Sequence, residues 1–140
     1  GSPRDPVWEY ILSPIEAEEN LAYFSTRYCL IGHSHIPLLF ECDLHCTLTE
    51  LTPRSALTGH SGRSSPPVNV IKLGDKRLII NPGGLGQPRD YDPRAAYAIY
   101  NSAAGTLTLY RVEYDIRSVQ DRMKKAGLPE RLVRRLEYGW

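Results

Sequence analysis

Two short apolar runs, Tyr28 to Ile31 and Ile36 to Phe40, are separated only by Gly32-His33-Ser34-His35. Runs this short do not make helices and suit strands buried in a sheet. The two histidines are therefore confined to a tight loop between core elements. In extended backbone, residues i and i+2 project the same way with Cα atoms about 6.6 Å apart. That geometry predicts two imidazoles converging on one metal ion or on two adjacent ions. Gly32 supplies the freedom to bend into the loop. An isolated H-x-H equally fits one hydrogen-bonded core histidine beside a solvated one, so neighbouring segments carry the decision.

Ahead of the histidines, Ser13-Pro14-Ile15-Glu16 has the serine cap, first-turn proline and third-position glutamate of a helix start. Ala17, Leu21 and Phe24 follow at helical spacing, which predicts a helix over 14–25. Leu44, Cys46 and Leu48 alternate with His45, Thr47 and Thr49, the pattern of a half-covered strand over 44–51. Residues 52–67 have no period and many turn formers, and read as a surface loop. Val68 to Leu73 and Arg77 to Asn81 flank Gly74-Asp75, which predicts a type II′ hairpin.

Then comes NPGGLGQPRD, residues 81–90, with three glycines and two prolines. Glycine-rich backbone of this kind approaches an anion or a metal cluster closely. Ala95 to Tyr100 and Thr106 to Tyr114 form a second hairpin around Gly105. Asp115 caps a helix with Ile116, Val119, Met123 and Ala126 on one face, Gly127 ends it, and Pro129 opens another, so closing helices occupy 115–138. One α/β (α+β) domain over 1–140 is expected. On Thr106 to Tyr114 the residues Leu107 and Leu109 face one way and Tyr110, Val112 and Tyr114 the other. Both faces want cover, and the helices at 14–25 and 116–126 serve one side only.

Charge narrows the classes of function. Seventeen Lys and Arg against sixteen Asp and Glu leave a net charge of +1, too balanced for general nucleic-acid binding. No apolar run approaches a membrane span. The amino terminus lacks a secretion pattern, and an odd number of cysteines cannot all pair within one chain, so a cytoplasmic location is expected. Cys42 and Cys46 share a strand face while His45 takes the other, so they read as plain strand cysteines and not as a zinc site. Cys29 reads as a core residue and His60 as solvated. Arg131, Arg134 and Arg135 read as a solvated helix face. Arg4 and Arg89 each stand in a Pro-Arg-Asp triplet, open to an ion pair with the adjacent turn or to a phosphate contact.

Taken in order, GSPRDPVWEYI at the amino end, GHSHIP in the middle and NPGGLGQPRD resemble the calcineurin-like metallophosphoesterases, in their small bacterial and archaeal phosphodiesterase branch. The resemblance runs from Gly1 to about Tyr114. It implies a four-layer αββα sandwich with mixed β-sheets and two divalent metal ions (Mn, Fe, Zn or Ni) at the strand ends. It also implies that His35 binds the first ion and His33 the second. The activity implied is hydrolysis of a phosphodiester or phosphomonoester by a metal-activated hydroxide, with Asn81, Gly83 and Arg89 as the substrate-binding candidates.

The family's D-x-H, G-D and G-N-H-D/E motifs are absent, as is the histidine expected just before Gly1. Gly74-Asp75 reads as a hairpin turn and not as the catalytic G-D. Ser34 and Gly84 stand where threonine and serine are commoner. The chain is thus expected to be the carboxy-terminal portion of such a domain, with no catalytic acid of its own. Alone it should be inactive and aggregation-prone or dimeric, completed by an upstream segment or a second chain. The alternative is a non-catalytic interaction scaffold of the same fold, as in a retromer subunit.

Overall fold

In the computed structural model, which describes residues 1–51 and 69–140, helix α1 (Pro14–Asn20) leads through a 3₁₀ turn (Leu21–Tyr23) to strands β1 (Tyr28–Leu30), β2 (Pro37–Cys42) and β3 (Cys46–Glu50). Strands β4 (Asn69–Lys72), β5 (Arg77–Pro82), β6 (Ala95–Asn101) and β7 (Thr106–Val112) follow, then helices α2 (Ile116–Lys125) and α3 (Glu130–Tyr138). The loop expected over 52–67, with His60, and the expected strand start at Val68 lie outside the described residues.

Leu78, Ile79, Ile80 and Asn81 are consecutive and all buried, as a strand covered on both faces must be. This strand, β5, pairs in parallel with β1 and antiparallel with β2, and β3 extends the sheet to the order β1-β5-β2-β3. Alternation sends Ile79 into one core with Leu38 and Phe40 of β2 and with Ile11 and Ala17 from the α1 side. Leu78 and Ile80 enter a second core with Leu107 and Leu109 of the other sheet, whose order is β4-β7-β6. The layers are therefore α1, a mixed sheet and a wholly antiparallel sheet. The two-sheet α+β class read from the sequence is the one observed, with only one sheet mixed.

The hairpin expected around Gly74-Asp75 does not form. β4 pairs with β7 while β5 lies in the other sheet, so residues 73–76 cross between sheets. Gly74 lacks the positive φ that a type II′ turn requires. The Leu73 N–H instead bonds the Gly105 carbonyl at 2.8 Å, which carries β4 onward alongside β7. The β6–β7 hairpin forms as expected.

The helix expected over 14–25 stops early, because the Arg77 guanidinium donates to the carbonyls of Leu21 (3.1 Å) and Phe24 (2.5 Å) and lies over the Phe24 ring. Leu44, expected within a strand, is 91% exposed in the β2–β3 turn. That turn sets Cys42 directly opposite Cys46, Cα atoms 4.0 Å apart, and the two are joined as a disulfide rather than left as free strand thiols. No helix among the described residues is long and apolar enough to cross a membrane.

The first turn of the chain is clamped onto α1 by polar contacts. Asn20, fully buried, accepts the Arg4 N–H (3.0 Å) and donates to Glu9 (3.0 Å) and to the Glu16 carbonyl (3.0 Å). The Arg4 guanidinium bonds Glu9 and Glu19, and the Ser2 hydroxyl also donates to Glu9. Of the two readings open for Arg4, the ion pair is the one observed. At the other end, Asp115 caps α2 by accepting the Ser118 N–H (3.0 Å), Gly127 ends that helix at φ 71°, and Gln120 donates to the Val133 carbonyl of α3 (2.9 Å).

Glu9 is held down to about 2 from an ordinary 4.5, chiefly by the Arg4 hydrogen bond and then by Ser2 and Asn20. Its folded value lies below its unfolded one, so its stabilisation is complete above about pH 4.5 and is lost as pH falls towards 2. We expect Glu9→Gln to melt below the parent at neutral pH and the gap to close as melting is followed from about pH 6 to about pH 2.5. A gap that is constant with pH would remove the carboxylate from the clamp.

Candidate functional site

Parallel strands β1 and β5 run level, Leu30 opposite Ile80, so their carboxyl ends lie side by side and the loops leaving them are neighbours. One loop carries the histidines and the other is the glycine-rich 81–90 segment. Asn81 joins them. Its Nδ2 donates to the Gly32 carbonyl (3.0 Å) and to Ser34 Oγ (2.8 Å), its Oδ1 accepts the Gly83 N–H (3.0 Å), and it is 0% exposed.

Ser34, 3% exposed, is drawn inward by this contact, and the flanking histidines are half-buried. The backbone there is not extended as the sequence reading expected. His33 has φ 74° at the centre of a turn closed by Ser34 N–H to the Gly32 carbonyl (3.0 Å), a strained γ-turn, and His35 has φ 59°. Anchoring the serine between them forces the chain to reverse at both neighbours. Each such residue costs about 1–3 kcal/mol and persists only where its surroundings over-determine it.

The two imidazoles are held differently. His35 Nδ1 lies 2.7 Å from the Gln87 carbonyl. A carbonyl only accepts, so Nδ1 carries the proton, and in the neutral ring the lone pair is on Nε2. Backbone also covers this ring, since a Cβ on Gly84 would meet His35 Cγ at 3.0 Å. The His33 ring stacks on Tyr10, centroids 4.2 Å apart and planes at 16°. A cleft of about 400 Å³ separates the Gly1–Pro6 turn from Leu30, Ile31 and Gly32. All three motif segments therefore meet at this end of the sheet.

Two of the substrate-binding candidates are tied into the loop itself. Both Nδ2 donors of Asn81 and its Oδ1 are engaged inside the fold, and the Gly83 N–H is bonded to Asn81, so both residues shape the loop. Gly83, at φ 91°, is required by contact, because a Cβ there would meet Ala96 at 2.8 Å and Pro37 at 2.9 Å. Arg89 differs: its Nε is buried and has no hydrogen-bond partner among the described residues.

The loop's far end is fixed by buried Arg111, which pairs with Asp90 and lies 3.8 Å from Asp92. Burial pushes the Asp92 carboxyl up, but the Arg94 hydrogen bonds and the Arg111 charge outweigh it and leave it below the ordinary range. The Tyr91 N–H then bonds the Gly139 carbonyl (2.8 Å), which docks the end of α3 beside the loop.

Sequence reasoning passed over Tyr10, Gln87 and the anchoring role of Ser34. Tyr10 and Gln87 were within quoted motifs, but nothing local announced their partners. Among the described residues no three His, Cys, Asp or Glu side chains gather closely enough to hold a metal ion. The donors present still fit a share in one, because His35 has a fixed tautomer with Nε2 available and His33 has no hydrogen bond to its ring nitrogens among the described residues.

No family model matches the chain. An uncharacterised protein of Methanocaldococcus jannaschii is 32% identical over 140 residues, covering 99% of this chain and 49% of that protein. The crystal structure of a metallophosphoesterase from Sphaerobacter thermophilus matches with a TM-score of 0.84 and 40% identity, covering 100% of this chain and 53% of the other. The chain spans about half the length of the relatives it matches.

Replacing Asn81 by Leu would leave the Gly83 amide without its acceptor and take one of two donors from the Gly32 carbonyl, and we expect it to cost about 2–4 kcal/mol in denaturant unfolding. The histidine ring signals should broaden in the same variant. Unchanged stability would show that the two loops are joined by something else.

Proposed function

We propose that this chain, which has the fold of a metallophosphoesterase along its whole length, supplies His33 and His35 to a dinuclear metal centre that hydrolyses a phosphodiester or phosphomonoester. The observation that carries this reading is the pair of left-handed histidines at adjacent carboxyl ends of parallel strands, one with its Nδ1–H fixed on a carbonyl. A metal ligand must be in one tautomer and held in place, and the hydrogen bond to Gln87 sets both for the His35 ring. His35 would ligate the first ion through Nε2, and His33 the second.

Bound there, two divalent ions (Mn, Fe, Zn or Ni) supply Lewis-acid polarisation of the phosphoryl oxygens and an acidified water. The chain's own residues orient and admit. Asn81 keeps both ligand loops in register, Gly84 lets the loop backbone pack on the His35 ring, and Gly86 leaves the backbone open to an anionic substrate. Arg89 offers a guanidinium donor to a phosphoryl oxygen. The remaining ligands and the leaving-group acid would come from a further segment of the protein or from a second chain, in keeping with the half-length match. Two retained histidines favour an enzyme over a scaffold of the same fold.

The test uses the full-length protein with His33→Ala and His35→Ala, measuring metal content and manganese-supported hydrolysis of a bis-aryl phosphodiester. Each variant should lose about one equivalent of metal and at least about 100-fold in kcat/KM, while melting changes little. Arg89→Gln should raise KM more than it lowers kcat. Full metal content in both histidine variants would defeat the proposal, and an inactive parent that binds metal normally would favour the scaffold.

A further inference from the structure

We infer that Tyr10 is a positioning residue for His33: its ring, stacked face to face on the imidazole, holds that side chain in the attitude from which it ligates, as the Gln87 carbonyl does for His35. The inference rests on the ligand reading of His33 given above and adds a residue to it. His33 sits at the apex of a γ-turn with φ 74°. Among the described residues no hydrogen bond reaches its ring nitrogens, so the flat face of Tyr10 is the restraint on its orientation.

Tyr10 is itself unusually well placed for a residue 39% exposed outside any helix or strand. Its neighbour on one side, Glu9, is bonded by Ser2, Arg4 and Asn20. Its neighbour on the other, Ile11, is buried in the core beneath α1. Fixed neighbours on both sides set the backbone from which the Tyr10 ring is presented. The ion network of the first turn thereby reaches the histidine through one peptide unit and one ring stack. Partners that orient metal ligands from behind are worth about 10–100-fold in metal affinity.

The experiment is manganese titration by calorimetry of the full-length protein carrying Tyr10→Phe, Tyr10→Leu or His33→Ala, with the metal-free proteins followed by proton NMR. Tyr10→Leu keeps apolar bulk and removes the ring, and melting checks that it folds. We expect Tyr10→Phe to bind both ions as the parent does. Tyr10→Leu should bind one of them at least about 10-fold more weakly. In the metal-free protein, the His33 ring protons should be shielded by the stacked ring in the parent and in Tyr10→Phe, and should return to ordinary positions in Tyr10→Leu.

Parent-like affinity in Tyr10→Leu while His33→Ala loses an ion would overturn the positioning role and leave the ligand reading intact. Equal weakening in Tyr10→Phe and Tyr10→Leu would assign the effect to the hydroxyl and overturn the stacking argument. Retention of both ions by His33→Ala would defeat the ligand reading and this inference together.

Discussion

One buried carboxamide sets the geometry on which the rest of this protein depends. Asn81 stands at the end of the central strand, at the point where it must satisfy a carbonyl, a hydroxyl and an amide N–H at once. An aspartate has no donor for the carbonyl, and a leucine serves none of the three. Its own position is not negotiable either, because Leu78, Ile79 and Ile80 just before it are buried on alternating faces in two different cores. The precision of the polar end of the sheet is thus inherited from hydrophobic burial along the strand.

That precision supports a backbone that would not hold by itself. His33 and His35 both have positive φ, a conformation most side chains avoid, and Gly83 lies so close to Ala96 and Pro37 that no side chain fits. The compensation comes from several directions. Ser34 is anchored from within, the Gln87 carbonyl and Gly84 hold one imidazole, and Tyr10 lies against the other. Among the described residues three non-glycines have positive φ, His33, His35 and Tyr91, and two of them carry the candidate chemistry, as expected where conformation serves function.

Much of this was legible in the sequence, and the failures share a cause. Capping at Ser13 and Asp115 and the hairpin around Gly105 follow from local chemistry and were readable. The Gly74-Asp75 turn was misread because turn chemistry is local, whereas the partner of β4 is decided by the apolar demand of β7 far along the chain. The extended H-x-H was misread because its conformation is set by Asn81, whose 0% exposure and internal bonding no local pattern reveals. The pairing of Cys42 with Cys46 needed the length of the turn between them, since only that places two residues of one face directly opposite each other.

That covalent bond has a further meaning for β2. Side chains along a strand repeat every two residues, so a slip of one position would exchange the two faces of a hairpin. Linking Cys42 to the residue directly opposite removes the slipped alignments of β2 and β3 from those the chain can adopt. At its other end β2 begins with Pro37 and Leu38, level with Pro82 and Asn81 across the sheet. The strand is thus pinned at one end by a bond between sulfur atoms and at the other by the register beside Asn81. Alignment along its length has only one solution, and the oxidised hairpin acts as a ruler for the distance from the turn to the histidine loop.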